Sequence, residues 1–205
     1  MYSYANLPFR QKRHKGGVRV SRLVPDYMFY SYREVTPAFL SSIGIRALLI
    51  DIDNTLAPYE QPEPDEENLD WFADMQKAGI RMAILSNNHA PRVERFNRKI
   101  GLPFFTECGK PKKKKLLLAM RELGVTPEET AVLGDQLLTD ALAGKRAGAR
   151  TLIVPPIKDR TDAFFRFKRF LERPFNRAYM KKHPEFRYPD IYREDWQKAI
   201  LGKNS

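Results

Sequence analysis

Apolar and polar positions fall into a rhythm of short apolar runs separated by longer amphipathic stretches. The runs at 47–50, 80–85, 102–106, 130–133 and 150–154 are four to six residues long, and most close on a polar residue, a glycine or a proline. Runs of that length with such boundaries read as buried strands. The stretches between them carry helix signals. At 65–78 acids crowd the first turn, as the helix dipole favours, and Gly79 follows the last. Pro91 opens the next helix and Gly101 ends it; Lys110-Pro111 precedes a third at 112–123; a fourth covers 138–147 before Gly148. Thr36-Pro37 opens a short helix ahead of the first run, and Thr126-Pro127-Glu128-Glu129 marks a further helix start or turn. Strands alternating with helices in this way predict an α/β fold, a Rossmann-like parallel sheet flanked by helices.

The ends of the runs carry the chemistry. Three strands in turn stop at Asp51, Ser86 and Asp135, and in a parallel sheet those ends share the edge where such folds bind ligands. Asp53 stands two residues beyond Asp51, so both carboxylates project the same way, roughly 7 Å apart. Taken alone, that strand end reads equally well as a solvated turn. With Lys110 and Asp140 added, the rim holds too many charges for a site without a ligand. Carboxylates outnumber the lysine, which points to a hard cation with few protein ligands, Mg²⁺ rather than caged Ca²⁺. Lys110 beside Ser86 suits an anion, and phosphate is the simplest that requires both metal and lysine. The reading is phosphoryl transfer. Gly16-Gly17 lacks the spacing and Lys-Ser/Thr pair of a nucleotide-binding glycine loop, which disfavours NTP hydrolysis.

Asp51-Ile52-Asp53-Asn54-Thr55, Ser86, Lys110 and Gly134-Asp135-Gln136-Leu137-Leu138-Thr139-Asp140 resemble, in order, the four motifs of haloacid dehalogenase-like phosphatases. The resemblance implies that fold and a Mg²⁺ cofactor. It implies Asp51 as nucleophile, forming an aspartyl-phosphate, and Asp53 as general acid then base. Asp51, Asp53 (through its carbonyl) and Asp135 would hold the metal. Ser86 and Lys110 would bind phosphoryl oxygens, and Asp140 would support Lys110 or a metal-bound water. Thr55 and Asn87 would shape the phosphate loop, although turn capping explains both equally well. The gaps from Thr55 to Ser86 and from Ser86 to Lys110 leave no room for a cap domain, as in the capless members that act on large substrates or as oligomers. Leu23-Val24-Pro25-Asp26, Val35-Thr36-Pro37, Ser86-Asn87-Asn88 and Gly109-Lys110-Pro111 are similar to the subfamily IIIA branch that includes phosphatidylglycerophosphate phosphatases. That likeness covers roughly 23–173.

Charge and composition narrow the partners. The 205 residues carry a formal net charge of +11. Residues 1–24 hold six bases and no acid, residues 60–74 seven acids and no base, and Lys112–Lys115 a further basic cluster. Such asymmetry suits an anionic partner, a membrane surface or nucleic acid. One cysteine, Cys108, excludes an internal disulfide and reads as inert. No apolar run reaches the roughly 20 residues of a membrane span, and the basic N-terminus lacks the apolar stretch of a secretory signal. The expected location is cytoplasmic, with peripheral contact on the cytosolic membrane face. Residues 162–173 fit a helix with Ala163, Phe164, Phe167, Phe170 and Leu171 on one face and Arg166, Arg169 and Arg173 opposite. Docking of its phenylalanines on the sheet competes with an interfacial role at a membrane, and the tyrosines of 27–32 suit either a core or such an interface. The organisation is then a basic arm at 1–22, a phosphatase domain at 23–157, a basic amphipathic helical region at 158–182 and a tail at 183–205. The functional expectation is dephosphorylation of phosphatidylglycerophosphate to phosphatidylglycerol. The alternatives are a nucleic-acid end or phosphoprotein as substrate, or a non-enzymatic module for anionic surfaces.

Overall fold

The computed structural model describes residues 23–158 and 163–184. The arm at 1–22, residues 159–162, the tail beyond 184 and the side chains of Ala163, Phe164, Phe165 and Arg166 lie outside the described residues. Six parallel strands form one sheet in the order β1-β6-β5-β2-β3-β4. They are β1 (Tyr27–Met28), β2 (Ala47–Ile50), β3 (Arg81–Leu85), β4 (Phe104–Phe105), β5 (Thr130–Gly134) and β6 (Arg150–Ile153). The helices are α1 (Pro37–Ser42), α2 (Glu66–Lys77), α3 (Ala90–Asn97), α4 (Lys114–Glu122), α5 (Leu142–Ala147) and α6 (Ala163–Lys182). The α/β expectation and every predicted strand are present, with β4 shorter than its apolar run because only Phe104 and Phe105 find pairing partners, on Ile84 and Leu85.

β2 is buried along its whole length because it pairs with β3 on one side and β5 on the other. Side chains alternate across the sheet, so both faces are apolar. Leu48 and Ile50 meet Leu40, Trp71, Phe72, Met75, Val93 and Phe96 on one face. Leu49 meets Leu116, Ala119, Met120 and Ala143 on the other. Local signals set the helix ends. Thr36 accepts from the Phe39 N–H with Pro37 at the first helical position, and Asp65 forms a reciprocal capping box with Asn68. From β2 the chain winds outward to β3 and β4, then returns across the sheet to β5. That reversal creates the switch-point crevice between β2 and β5, where Asp51 donates its N–H to Leu133 O at 2.9 Å.

The aromatic segment is core. Tyr32 is buried, stacks edge-on against Trp71 and accepts from Asn68 at 2.6 Å, while Tyr27 and Phe29 pack edge-on against Phe39.

Two expectations require correction. The helix at 138–147 begins one residue early, as a wide π turn at Leu137–Ala141, in which the Asp140 and Ala141 N–H groups both reach Gln136 O. The predicted 162–173 helix runs on through Pro174 to Lys182, and of the two readings of its apolar stripe the docking of phenylalanines on the sheet does not hold for Phe167 and Phe170. Phe167 and Phe170 are 58% and 59% exposed and Leu171 41%, whereas Arg169, Glu172, Asn176 and Tyr179 are buried. Tyr179 packs among Val24, Met28, Leu137, Ala141 and Ile153 and accepts from the Met28 N–H at 3.0 Å.

Candidate active site

The carboxyl ends of β2, β3 and β5 deliver Asp51, Ser86 and Asp135 to one rim, and all three are buried. Asn54, at φ 63°, turns the chain back immediately after Asp53 and brings Ala57 into a bridge with it. Asp51 and Asp53 are thereby fixed at the base of a cleft of about 280 Å³, which Ser86, Asn87, Lys110 and Asp140 also line.

Lys110 is the hub. Its Nζ donates to Asp51 Oδ1 at 2.6 Å, Asp140 Oδ1 at 2.6 Å and Leu85 O at 2.9 Å. Burial works to lower the Lys110 pKa, but Asp140 and Asp51 outweigh it, so the ammonium is held charged. Its backbone is fixed by Asn87, whose amide accepts from the Lys110 N–H at 2.8 Å and donates to Lys110 O at 3.3 Å. Thr55 donates to Asp51 Oδ2 at 3.4 Å. Ser86 Oγ accepts from the Asn88 N–H at 3.0 Å. The second Asp140 oxygen accepts from the Gln136 N–H and the Thr139 hydroxyl. It occupies space left by Gly134, where a Cβ would overlap the Asp140 carboxyl group.

Asp53 lies apart from this crowding. Its carboxylate accepts from Arg92 Nε at 3.2 Å and Asn88 Nδ2 at 3.3 Å. Arg92 is anchored in turn on Pro62 O, on the loop before α2. Asp135 is met from α6: Arg169 donates to its carboxylate and, at 2.8 Å, to its backbone carbonyl. Glu172 accepts from Arg169 at 3.0 Å and from the Leu138 N–H at 3.1 Å. Lys168 lines the cleft wall, as do Tyr59 and Gln136.

Sequence reasoning missed Arg92, Lys168, Arg169 as a buried group, and Glu172. Asn88 stood in a quoted motif without a role. No local pattern marks Arg92, whereas the single acid of α6 among seven bases was a readable signal for Glu172. Cys108 is inert as expected: burial pushes its thiol up to about 11, and its Sγ lies 3.2 Å from Phe105 O.

Asp51, Asp135 and Asp140 each bring a carboxylate oxygen within 4.8 Å of the other two. Burial, with Asp140 and Asp135 nearby, raises the Asp51 carboxyl well above the usual range against the pull of Lys110. Burial, then Asp140 and Glu172, lift Asp135 to about 6 against Arg169. Five carboxylates (Asp51, Asp53, Asp135, Asp140, Glu172) outnumber the four cations of the site (Lys110, Arg92, Arg169 and Lys168 on the cleft wall). An all-oxygen donor set with that surplus fits a hard divalent cation. The cation could sit on Asp51 and Asp135, with Asp140 beside them in the same cluster and the Asp53 carbonyl as the further ligand that the family resemblance implies.

The model of the haloacid dehalogenase-like hydrolases matches residues 64–148. The chain is 34% identical over 159 residues to the probable phosphatase YqeG of Bacillus subtilis (strain 168), covering 78% of this chain and 92% of that protein. The chain belongs to the haloacid dehalogenase-like hydrolases. Among solved structures it is similar to a point mutant of CbbY of Rhodobacter sphaeroides in complex with xylulose-(1,5)bisphosphate. That likeness has 20% identity, covers 58% of this chain and 90% of that one, and gives a TM-score of 0.47. A second is the cobalt-bound deoxy-D-mannose-octulosonate 8-phosphate phosphatase of Haemophilus influenzae, at 19% identity over 66% of this chain and 90% of that one, TM-score 0.43. As a member of its family the chain is a phosphohydrolase, which sets aside the non-enzymatic binding module. Between Thr55 and Ser86 its elements are α2 and β3 alone, and between Ser86 and Lys110 α3 and β4 alone, so the described residues form no separate cap.

Proposed function

We propose that the protein is a Mg²⁺-dependent phosphomonoesterase acting on a lipid phosphate, phosphatidylglycerophosphate, at a membrane surface. The observation that carries this reading is the uncovered cleft: its base is built for a phosphoryl group, and no described domain closes over the remainder of the substrate. A substrate that brings its own bulk, such as a headgroup in a bilayer, suits it. The subfamily IIIA motifs favour the same lipid.

In the proposed reaction an Asp51 oxygen attacks phosphorus in line and the phosphorus–oxygen ester bond breaks. Asp53 gives its proton to the departing alkoxide. Asp53 then takes a proton from water as that water attacks the aspartyl-phosphate, releasing inorganic phosphate and restoring Asp51. Lys110 and Thr55 hold the Asp51 oxygens, and Arg92 with Asn88 orients the Asp53 carboxylate. Ser86 and Lys110 are the phosphoryl anchors; Asn87 acts by fixing Lys110. A bound Mg²⁺ would supply neutralisation of charge on the transferring group.

Phosphate release with Mg²⁺ tests the reading, with phosphatidylglycerophosphate in detergent micelles beside soluble monoesters and 5′-phosphorylated DNA. Fastest turnover of the lipid is expected, with chelation or Asp51→Asn abolishing it. Turnover of soluble esters with the lipid untouched would remove the substrate assignment and leave the chemistry standing. Preferential release from DNA ends would shift the reading to nucleic acid, which the exposed Lys112–Lys114 cluster beside Lys110 would suit.

A further inference from the structure

We propose that the outward face of α6 is the surface that seats this protein on an anionic lipid bilayer, an inference that rests on the lipid reading above. A helix normally buries its apolar stripe and leaves its charges in water. α6 does the reverse at its first described turns. Phe167, Phe170 and Leu171 point to solvent, while the ion pair of Arg169 and Glu172 is buried against Asp135.

The inner face holds the helix to the domain through Arg169, Glu172 and Tyr179. The apolar outer face has no such role in the described fold.

Charge decides which partner fits. Glu172 is the only acid in α6, and it faces inward with its oxygens on Arg169 and Leu138. The outward charge of the helix is therefore all positive: Arg177, Lys181 and Lys182 are exposed further along, and Arg173 lies over the Phe170 ring at 5.8 Å. Phenylalanines inserted between acyl chains, with lysines and arginines at the headgroups, match an anionic bilayer. An acidic protein partner would have to bring an apolar patch of its own to meet three adjacent exposed apolar side chains, whereas a bilayer supplies both layers at once.

Position supports the same occupant. Successive residues on a helix point about 100° apart, and three of them divide the work. Phe167 faces solvent, Lys168 lines the cleft and Arg169 enters the site. A bilayer meeting Phe167 would lie beside the cleft wall, where a membrane-borne phosphate could enter.

The test uses the full chain and vesicles that contain no substrate, so it is independent of which ester is hydrolysed. Flotation with phosphatidylcholine vesicles and with mixed phosphatidylcholine–phosphatidylglycerol vesicles should show binding to the second only. F167S/F170S should weaken that binding about tenfold or more. R177E/K181E should also weaken it, and the wild-type binding should fall with salt. Both variants should keep wild-type turnover of a soluble monoester, which establishes that they fold. Absent vesicle binding, or unchanged binding by F167S/F170S, overturns the proposal. So does a wild-type dimer in light scattering that F167S/F170S dissolves, since a second copy would then be the occupant. Vesicle binding without lipid hydrolysis would keep the docking surface and remove the substrate assignment.

Discussion

Helices α2 and α6 are both amphipathic, and they present opposite faces to the same domain. α2 turns Trp71, Phe72 and Met75 inward against the sheet and leaves its acids in water. α6 turns Arg169, Glu172, Asn176 and Tyr179 inward and leaves three apolar side chains out. The first is held by area removed from water, the second by a buried ion pair, a tyrosine hydroxyl and a small apolar cluster. The difference teaches that the orientation of an amphipathic helix follows what awaits it. β2 and β3 offer α2 an apolar face, whereas the end of β5 offers α6 a carboxylate, and the turn beyond it a backbone N–H for Glu172.

The contrast can be broken from either side. Phe72→Ala should be the most damaging change, costing about 3–5 kcal/mol through lost burial and a cavity; urea unfolding measures it. Arg169→Ala empties the space of a buried side chain and leaves Asp135 and Glu172 without their cation, for which about 3 kcal/mol is expected. That loss should shrink when Mg²⁺ is added, because a cation takes over part of the charge on Asp135. An equal loss with and without Mg²⁺ would mean that Arg169 serves α6 docking alone.

A pH series sharpens the same point. Asp135 sits at about 6 in the fold, above an ordinary aspartate, so between about pH 4 and 6 the folded chain keeps a proton that the unfolded chain has lost. Metal-free stability should therefore fall as pH rises through that window. Mg²⁺ competes with the same proton, so the rise in Tm on adding Mg²⁺ should be larger near pH 8 than near pH 5 in scanning fluorimetry. A rise independent of pH would place the ion elsewhere. The smallest effect belongs to the outer face of α6. Phe170→Ser should change unfolding free energy by no more than about 0.5 kcal/mol, against the several expected for Phe72.

The strand ends were legible because buried parallel strands leave an unbroken apolar run, and Asp51, Ser86 and Asp135 interrupt three of them. The roles of Lys110 and Asp140 followed from the resemblance of the ordered motifs to the family, and the helix starts from capping and proline signals. The face that α6 buries was not legible. Periodicity locates a stripe but does not say what lies opposite, and the partner of Arg169 stands 34 residues earlier. Arg92 was hidden for the same reason, since it meets Asp53 across 39 residues. The amide pairing of Asn87 with the Lys110 backbone was out of reach as well, because it exists only after β3 and the loop beyond β4 come together.

Gly134 limits what this rim can tolerate. Its requirement is empty volume rather than backbone freedom, since the Asp140 carboxyl group fills the space a methyl would need. Even alanine, the most modest replacement available, would drive Asp140 away and leave Lys110 facing Asp51 alone among the carboxylates. Asp51, the proposed nucleophile, would then be clamped by a cation with no second carboxylate to share it, and a single added carbon at the end of β5 is expected to abolish turnover while the sheet around it stays whole.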